Sequence, residues 1–298
     1  TFPSNSFLSA PAVALADFDT GRIMVGTQGS GIFLGDLIND KLIPKFRNLP
    51  DNEFSNYILS LYSGAGYIFA GHDGKGVSYM IKKQPPDTDF HFQEFMTVNQ
   101  LEKATAFYQD QSGRIWIGTK QNGLFSVRYN TQTLQTGEII HYDTFGRDEI
   151  TGFASLDRIH LYISSHNGLF IFNTAEGKIE NDGNIIRNEL VYSIIRDNKN
   201  NCLWIGTSTR LLRIDLSDPQ SVKETLPDDI IPKGAIRNLI LDNANNLWFS
   251  VRDRLFCLKD GQKKIFEINQ SVFDNKAILS TASTHAFSSE YLVFGTTD

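Results

Sequence analysis

The sequence is poor in the features that usually announce a function. Two cysteines, Cys202 and Cys257, stand alone in 298 residues. They have no metal-motif spacing, and two isolated cysteines, free to pair with each other, identify no redox compartment. There is no block of lysine or arginine, and the formal net charge is −6. A nucleic-acid footprint is normally basic, so DNA and RNA are set aside as partners. No stretch reaches the roughly 18 apolar residues that a membrane-spanning helix needs, so direct membrane insertion is not expected. The longest uncharged run, Ser55 to Gly71, is broken by Ser63, Gly64 and Gly66 and reads as two strands with a turn. The six histidines lie on different stretches with no i,i+4 pair, so no metal and no cofactor is expected. The first residue is Thr, and no charged-then-apolar leader follows it, which reads as a mature or excised piece.

What is abundant is apolar and aromatic material, 41% and 12% of the residues, enough for an ordinary globular core. It is also periodic. Trp116-Ile117-Gly118-Thr119 returns almost letter for letter as Trp204-Ile205-Gly206-Thr207, and Leu247-Trp248-Phe249-Ser250 follows in the same phase. Weaker copies surround Gly26, Gly71, Ser164 and Gly295. The small anchor residue therefore falls at 26, 71, 118, 164, 206, 250 and 295, at spacings of 42–47 residues. Such a period marks a repeat architecture.

Each unit reads as four short strands: an apolar stretch such as Val191 to Ile195, the anchor strand, a Gly-Leu-Phe strand such as Gly123-Leu124-Phe125, and a more polar fourth. Alternation along a strand puts Trp116 on one face and Ile115 and Ile117 on the other. Both faces are apolar, which requires a sheet covered on both sides. The predicted fold is all-β, a single seven-bladed β-propeller over residues 1–298 with four-stranded antiparallel blades. The tryptophans are expected to pack between blades. The chain ends at Asp298 where the seventh Gly-Leu-Phe strand should begin, and 2–7 align with 49–54 as the linker into a first strand. The last blade is thus expected to be incomplete, and the chain to be a fragment of a longer sensor.

Asp110, Gly113, Ile115, Trp116, Ile117, Gly118, Thr119, Gly123, Leu124 and Phe125 make up a pattern that resembles the two-component regulator propeller repeat. Asp197 with Leu203 to Thr207, and Asp242 with Leu247 and Trp248, repeat parts of it. The resemblance implies a place in the periplasmic sensor region of a hybrid two-component histidine kinase, which detects oligosaccharides and controls glycan-utilisation genes. It also implies as partners an oligosaccharide or other polar small ligand and a second propeller or other domain of the same chain. A homodimer is a further partnership.

Propeller sites gather on the face bearing the loops between strands two and three and the loops into the first strands, although function must be argued from the site. The first set includes Lys120-Gln121-Asn122, His166-Asn167 and, in the shorter loops of blades five and six, Arg210, Arg252 and Arg254. This is a ring of amides, hydroxyls and charges suited to a saccharide, although polar turns have the same composition without any ligand. Arg210 and Arg254 stand where glycine is expected, and a cationic sector suits carboxylate, sulfate or phosphate. Pairing with Asp253, or docking a second propeller, would use the same arginines. The second loop set repeats Arg-x-Glu, as Arg147-Asp148-Glu149 and Arg187-Asn188-Glu189. Two such glutamates at a channel mouth are what a glycosidase needs, while an arginine two residues away from each favours local ion pairs. A non-catalytic sensing module is the leading reading; a carbohydrate hydrolase or lyase and a protein-interaction scaffold are the alternatives.

Overall fold

The structure is a computed structural model. It describes residues 10–19, 21–38, 41–45, 55–64, 66–74, 76–82, 93–96, 101–130, 135–224, 231–262, 264–268, 279–287 and 291–296. The chain divides into two compact units, Thr1–Phe107 with Ser271–Asp298, and Tyr108–Gln270.

The fold is all-β, built from antiparallel sheets whose strands lie in chain order. In the first unit one sheet comprises β1 (Ala12–Asp19), β2 (Arg22–Thr27), β3 (Ile32–Ile38) and β4 (Lys41–Lys45). The next comprises β5 (Ile58–Gly64), β6 (Tyr67–His72), β7 (Val77–Ile81) and β8 (Gln93–Met96). In β9 (Ala104–Gln109) the chain passes to the second unit; its sheet continues with β10 (Arg114–Thr119), β11 (Leu124–Asn130) and β12 (Gln135–Tyr142). The fourth sheet holds β13 (Ile150–Ser155), β14 (His160–Ser165), β15 (Gly168–Asn173) and β16 (Lys178–Arg187). The fifth holds β17 (Val191–Asp197), β18 (Cys202–Thr207), β19 (Leu211–Asp215) and β20 (Asp218–Glu224). The sixth holds β21 (Ile236–Leu241), β22 (Leu247–Val251), β23 (Arg254–Leu258) and β24 (Ile265–Ile268). The chain then returns to the first unit as the hairpin β25 (Leu279–Phe287) and β26 (Tyr291–Thr296), with β25 alongside β1. The alignment of 2–7 with 49–54 lies outside the described residues.

All seven anchor residues fall in the second strand of a sheet or hairpin. A small residue is needed there because the first strand of the next sheet passes close by. A Cβ on Gly26 would stand 2.6 Å from Ile58 Cγ2, and one on Gly118 2.5 Å from Ile150 Cγ2. At Gly206 it would lie 2.4 Å from the Ile236 carbonyl oxygen. Real carbon atoms rest about 3.5–4.0 Å apart, so these positions set how tightly neighbouring sheets stack.

The cores follow the period of two. Trp116 and Leu124 pack with Leu161, Ile163 and Phe172 of the fourth sheet. Tyr162 points the other way, into a cluster with Leu203, Ile205 and Leu212 of the fifth. Cys202 and Trp204 face onward, towards Phe249, Phe256 and Ile265 of the sixth. The fourth and fifth sheets are thus apolar on both faces, the arrangement that the alternation at residues 115–117 requires. Trp116 is fully buried and Trp204 is 8% exposed, with their indole N–H groups turned to an aspartate in the preceding turn. Trp116 donates to Asp110 at 2.8 Å, Trp248 to Asp242 at 2.9 Å and Trp204 to Asp197 at 3.5 Å. Asp110 also accepts from the backbone N–H groups of Ser112 and Arg114. One carboxylate therefore both closes the turn and satisfies a polar atom that burial would otherwise strand. Both cysteines are free and buried.

Candidate functional site

In three of the Gly-Thr pairs the threonine shapes the loop after it. Thr119 donates through Oγ1 to the Gly123 carbonyl at 2.9 Å and accepts from the Asn122 N–H at 2.9 Å. Thr27 does the same with Gly31 and Ser30, and Thr207 with the carbonyl and N–H of Arg210. The turn carrying Lys120, Gln121 and Asn122 is thereby held closed, and Gly123 supplies a left-handed φ of 69°, which only glycine adopts at no cost. Arg210 and Arg254 do not take over that conformation. In the sixth sheet the left-handed residue is Arg252, at φ 55°, because the shorter loop moves the reversal two residues earlier.

The first strands bring a second device to the same end. Ala12 and Ala14 pair with Thr27 and Gly26, leaving Val13 as an extra residue. Leu59, Thr151 and Tyr192 are extra in the same way in β5, β13 and β17. A bulge of this kind re-aims one side chain while the ladder continues on either side. In the second unit Tyr192 is re-aimed into a row of functional groups. The guanidinium of Arg237 stands 3.9 Å from the centre of its ring. His166 meets the same ring edge-on, with centroids 5.7 Å apart. Nδ1 of His166 is 3.7 Å from Glu149 Oε2, and Lys120 Nζ is 3.9 Å from that same oxygen. The backbone N–H of His166 donates to the Glu149 carbonyl at 3.0 Å. Cations, a carboxylate, an imidazole and an aromatic face thus line up from the third sheet to the sixth.

The other expected residues divide. Glu189 takes Arg210 as a two-pronged partner, with Arg210 Nε 3.3 Å from Oε1 and a second guanidinium nitrogen on Oε2. Burial pushes the Glu189 carboxyl up, but hydrogen bonds from Arg210, Thr207 and Thr209 outweigh it and leave the group below the ordinary carboxylate range. The two glutamates thus find partners on the loops between second and third strands, Arg210 for Glu189 and Lys120 with His166 for Glu149. Asn188, left-handed at φ 55° between Arg187 and Glu189, breaks the extended spacing that a local pair presumes. Arg254 turns to the outer strand, donating through Nε to Glu267 Oε1 at 2.6 Å and through a second nitrogen to Oε2. Glu267 is Arg254's partner because it faces Phe256 in the β23–β24 ladder. Gln121, Arg147, Asn167, Arg187 and Arg252 are exposed. The Asn122 carbonyl accepts a hydrogen bond from a ring nitrogen of His141 at 2.9 Å.

Sequence reasoning missed Tyr192 and Arg237, which sit inside stretches that read as buried first strands. The signal was present: each follows the first buried residue of its strand, Val191 and Ile236, where the other sheets carry Val13, Leu59 or Thr151.

Set beside known proteins, residues 101–121 match the profile described as two component regulator propeller. Over this stretch the chain is similar to a two component regulator propeller repeat. The match covers β9, β10 and the turn of Lys120 and Gln121, and so includes the Asp110–Trp116 pair and the Gly118 anchor. Among solved structures, the extracellular domain of BT3049 from B. thetaiotaomicron, described as a hybrid two component system, is similar over 100% of this chain and 40% of its own, with 20% identity and TM-score 0.77. That of BT4673, described likewise and from the same organism, is similar over 98% and 38%, with 18% identity and TM-score 0.75. The computationally designed Ika8 protein shares the fold over 97% of this chain and 94% of its own, at 12% identity and TM-score 0.64. No curated protein matches the sequence significantly. The chain spans about two-fifths of the two bacterial domains. At these identities the likeness is one of fold. Among the described residues no helix is long and apolar enough to cross a membrane.

Proposed function

We propose that this chain is a ligand-sensing propeller in the periplasmic sensor region of a hybrid two-component histidine kinase. In this reading residues 1–298 form one seven-bladed ring, which the regular anchors, the in-order sheets and the position of β25 beside β1 all support. The ligand is an oligosaccharide or a similar polar molecule, and binding controls genes for using it. The observation that carries the proposal is the row Lys120, Glu149, His166, Tyr192 and Arg237. An aromatic face backed by a cation, beside fixed donors and acceptors, is what a sugar ring with its hydroxyls requires. Gln121, Asn122, Asn167 and Arg252 extend the row. Arg210 and Arg254 contribute less cationic character than their number suggests, because each already holds a carboxylate. Ligand bound here would favour one of two arrangements of this module and its neighbouring domains, and so shift their populations.

The catalytic alternative needs one carboxyl held protonated near neutral pH. Glu189, whose partners pull its pKa down, is the opposite of such an acid. The test is calorimetric titration of the chain with neutral oligosaccharides, followed by product analysis. Binding that Tyr192→Ala abolishes, with the sugar recovered intact, supports the sensor. Cleaved sugar, or binding indifferent to Tyr192→Ala, overturns it.

A further inference from the structure

A second site lies at the other end of the same strands. Within the second unit a cleft of about 720 Å³ opens among the turns that join first and second strands. Gln111, Asp157 with Arg158, and Asn198 come from three such turns, and Tyr108, Phe153 and Arg196 from the strands beneath. Its volume lies within the range of small-molecule sites.

The charges in the cleft are unbalanced. Asp157 is its one lining carboxylate, and it is fully engaged. It accepts the N–H groups of Ile159 and His160 at 2.8 and 2.9 Å and pairs with the His160 ring at 2.8 Å. Arg158 is exposed and meets no carboxylate among the described residues. Arg196 is fixed at the back of the cleft: one terminal nitrogen donates to the Leu156 carbonyl at 2.9 Å and also to that of Ser155. Its Nε is buried with no acceptor, and so is the hydroxyl of Tyr162, which lies close enough for the guanidinium charge to act on it. A pre-oriented guanidinium whose second terminal nitrogen is unspent, with a second, exposed one, suits the two oxygens of a carboxylate. Part of one wall is aromatic. The rings of Tyr108 and Phe153 lie 6.3 Å apart and 30° from parallel, with Ile194 and Ile195 alongside.

We infer that this cleft binds a small organic carboxylate whose acid group is carried on a ring, the acid held by Arg158 and Arg196 and the ring lying on Tyr108 and Phe153. The site is separate from the row at Tyr192, and stands whether or not an oligosaccharide binds there. Two sources offer this chemistry, an acidic sugar and an aromatic acid. Calorimetric titrations of the whole chain therefore use galacturonate and 4-hydroxyphenylacetate, each beside its uncharged counterpart, galactose and 4-methylphenol.

The expected result is that one acid binds at least about tenfold more tightly than its counterpart, the scale of a charge-assisted contact. Which acid it is identifies the ring. Arg158→Ala should weaken that binding about tenfold with the melting temperature unchanged, since the side chain is exposed. Arg196→Lys, which keeps the charge and loses the fork, should weaken it as well, and Tyr192→Ala should leave it untouched. Failure of both acids to bind, equal binding of the uncharged counterparts, or indifference to Arg158→Ala overturns the inference.

Discussion

Replacing Gly26 by Ala tests the contact that sets the spacing of the first two sheets. Gly26 is not in the left-handed region, so the added methyl group brings no backbone strain. Strand propensity alone would make Ala about 0.5–1 kcal/mol more stable than Gly. Against this, the new Cβ would stand 2.6 Å from Ile58 Cγ2, 3.1 Å from Ile58 Cβ and 3.3 Å from Ala14 Cβ. Ile58 is 1% exposed and packed among Met24, Ile68 and Met80, so it has nowhere to retreat. Overpacking of this kind costs about 1–3 kcal/mol, which cancels the propensity gain and leaves a net loss of up to about 2.5 kcal/mol, centred on about 1 kcal/mol. At roughly 2–4 °C per kcal/mol, the melting temperature should fall by a few degrees.

Ile58→Ala alone should cost about 2–5 kcal/mol through the cavity it opens. In the double variant the nearest remaining side-chain atom of residue 58 is Cβ, at 3.1 Å, so the two losses should overlap by about 1 kcal/mol or more. Urea unfolding and scanning calorimetry on the parent, both single variants and the double variant measure the cycle. A Gly26→Ala chain that shows the full gain of about 0.5–1 kcal/mol expected from strand propensity, or a double variant whose loss is the plain sum, would refute the steric account of the anchor.

Three further outcomes are expected. His160 bonds Asp157 at 2.8 Å and Glu180 at 3.0 Å; burial lowers its pKa, but Asp157 and then Glu180 outweigh this and raise it. Its contribution to stability is therefore complete below the unfolded value of about 6.5, is lost as pH rises through the higher folded value, and should vanish from the pH–melting profile in His160→Gln. Asp110→Ala leaves the Trp116 indole N–H without its acceptor and should cost about 1–3 kcal/mol in urea unfolding; an unchanged midpoint would mean the pair is not stabilising. Burial pushes the Cys257 thiol up to about 11 and raises that of Cys202, so a thiol reagent at pH 8 should label neither until the chain unfolds.

Much of the fold was legible because it is written locally. The anchor positions repeat, and at Gly26, Gly71, Gly118 and Gly206 there is one reason to be small: a neighbouring first strand within van der Waals reach. The link between Asp110 and Trp116 spans six positions, and its counterparts at Asp197 and Asp242 stand in the same motif. The site was legible only in part, because its pairings depend on register. Arg210 finds Glu189 twenty-one positions back along the chain, and Arg254 finds Glu267 only once β23 and β24 are aligned. The Arg-x-Glu spacing suggested local pairs, yet a left-handed Asn188 and the nearby loops gave Glu189 and Glu149 other partners. Tyr192 was hidden for a different reason. An extra residue in a strand does not disturb the apolar alternation enough to be seen without the ladder.

That extra residue has an evolutionary consequence. Because the ladder resumes correctly on both sides of Val13, Leu59, Thr151 and Tyr192, exchanging any of these side chains leaves the pairing behind it untouched. Each of these four sheets therefore offers one interchangeable letter on an otherwise constant frame. Those letters can be rewritten independently, one sheet at a time, without the folding problem having to be solved again.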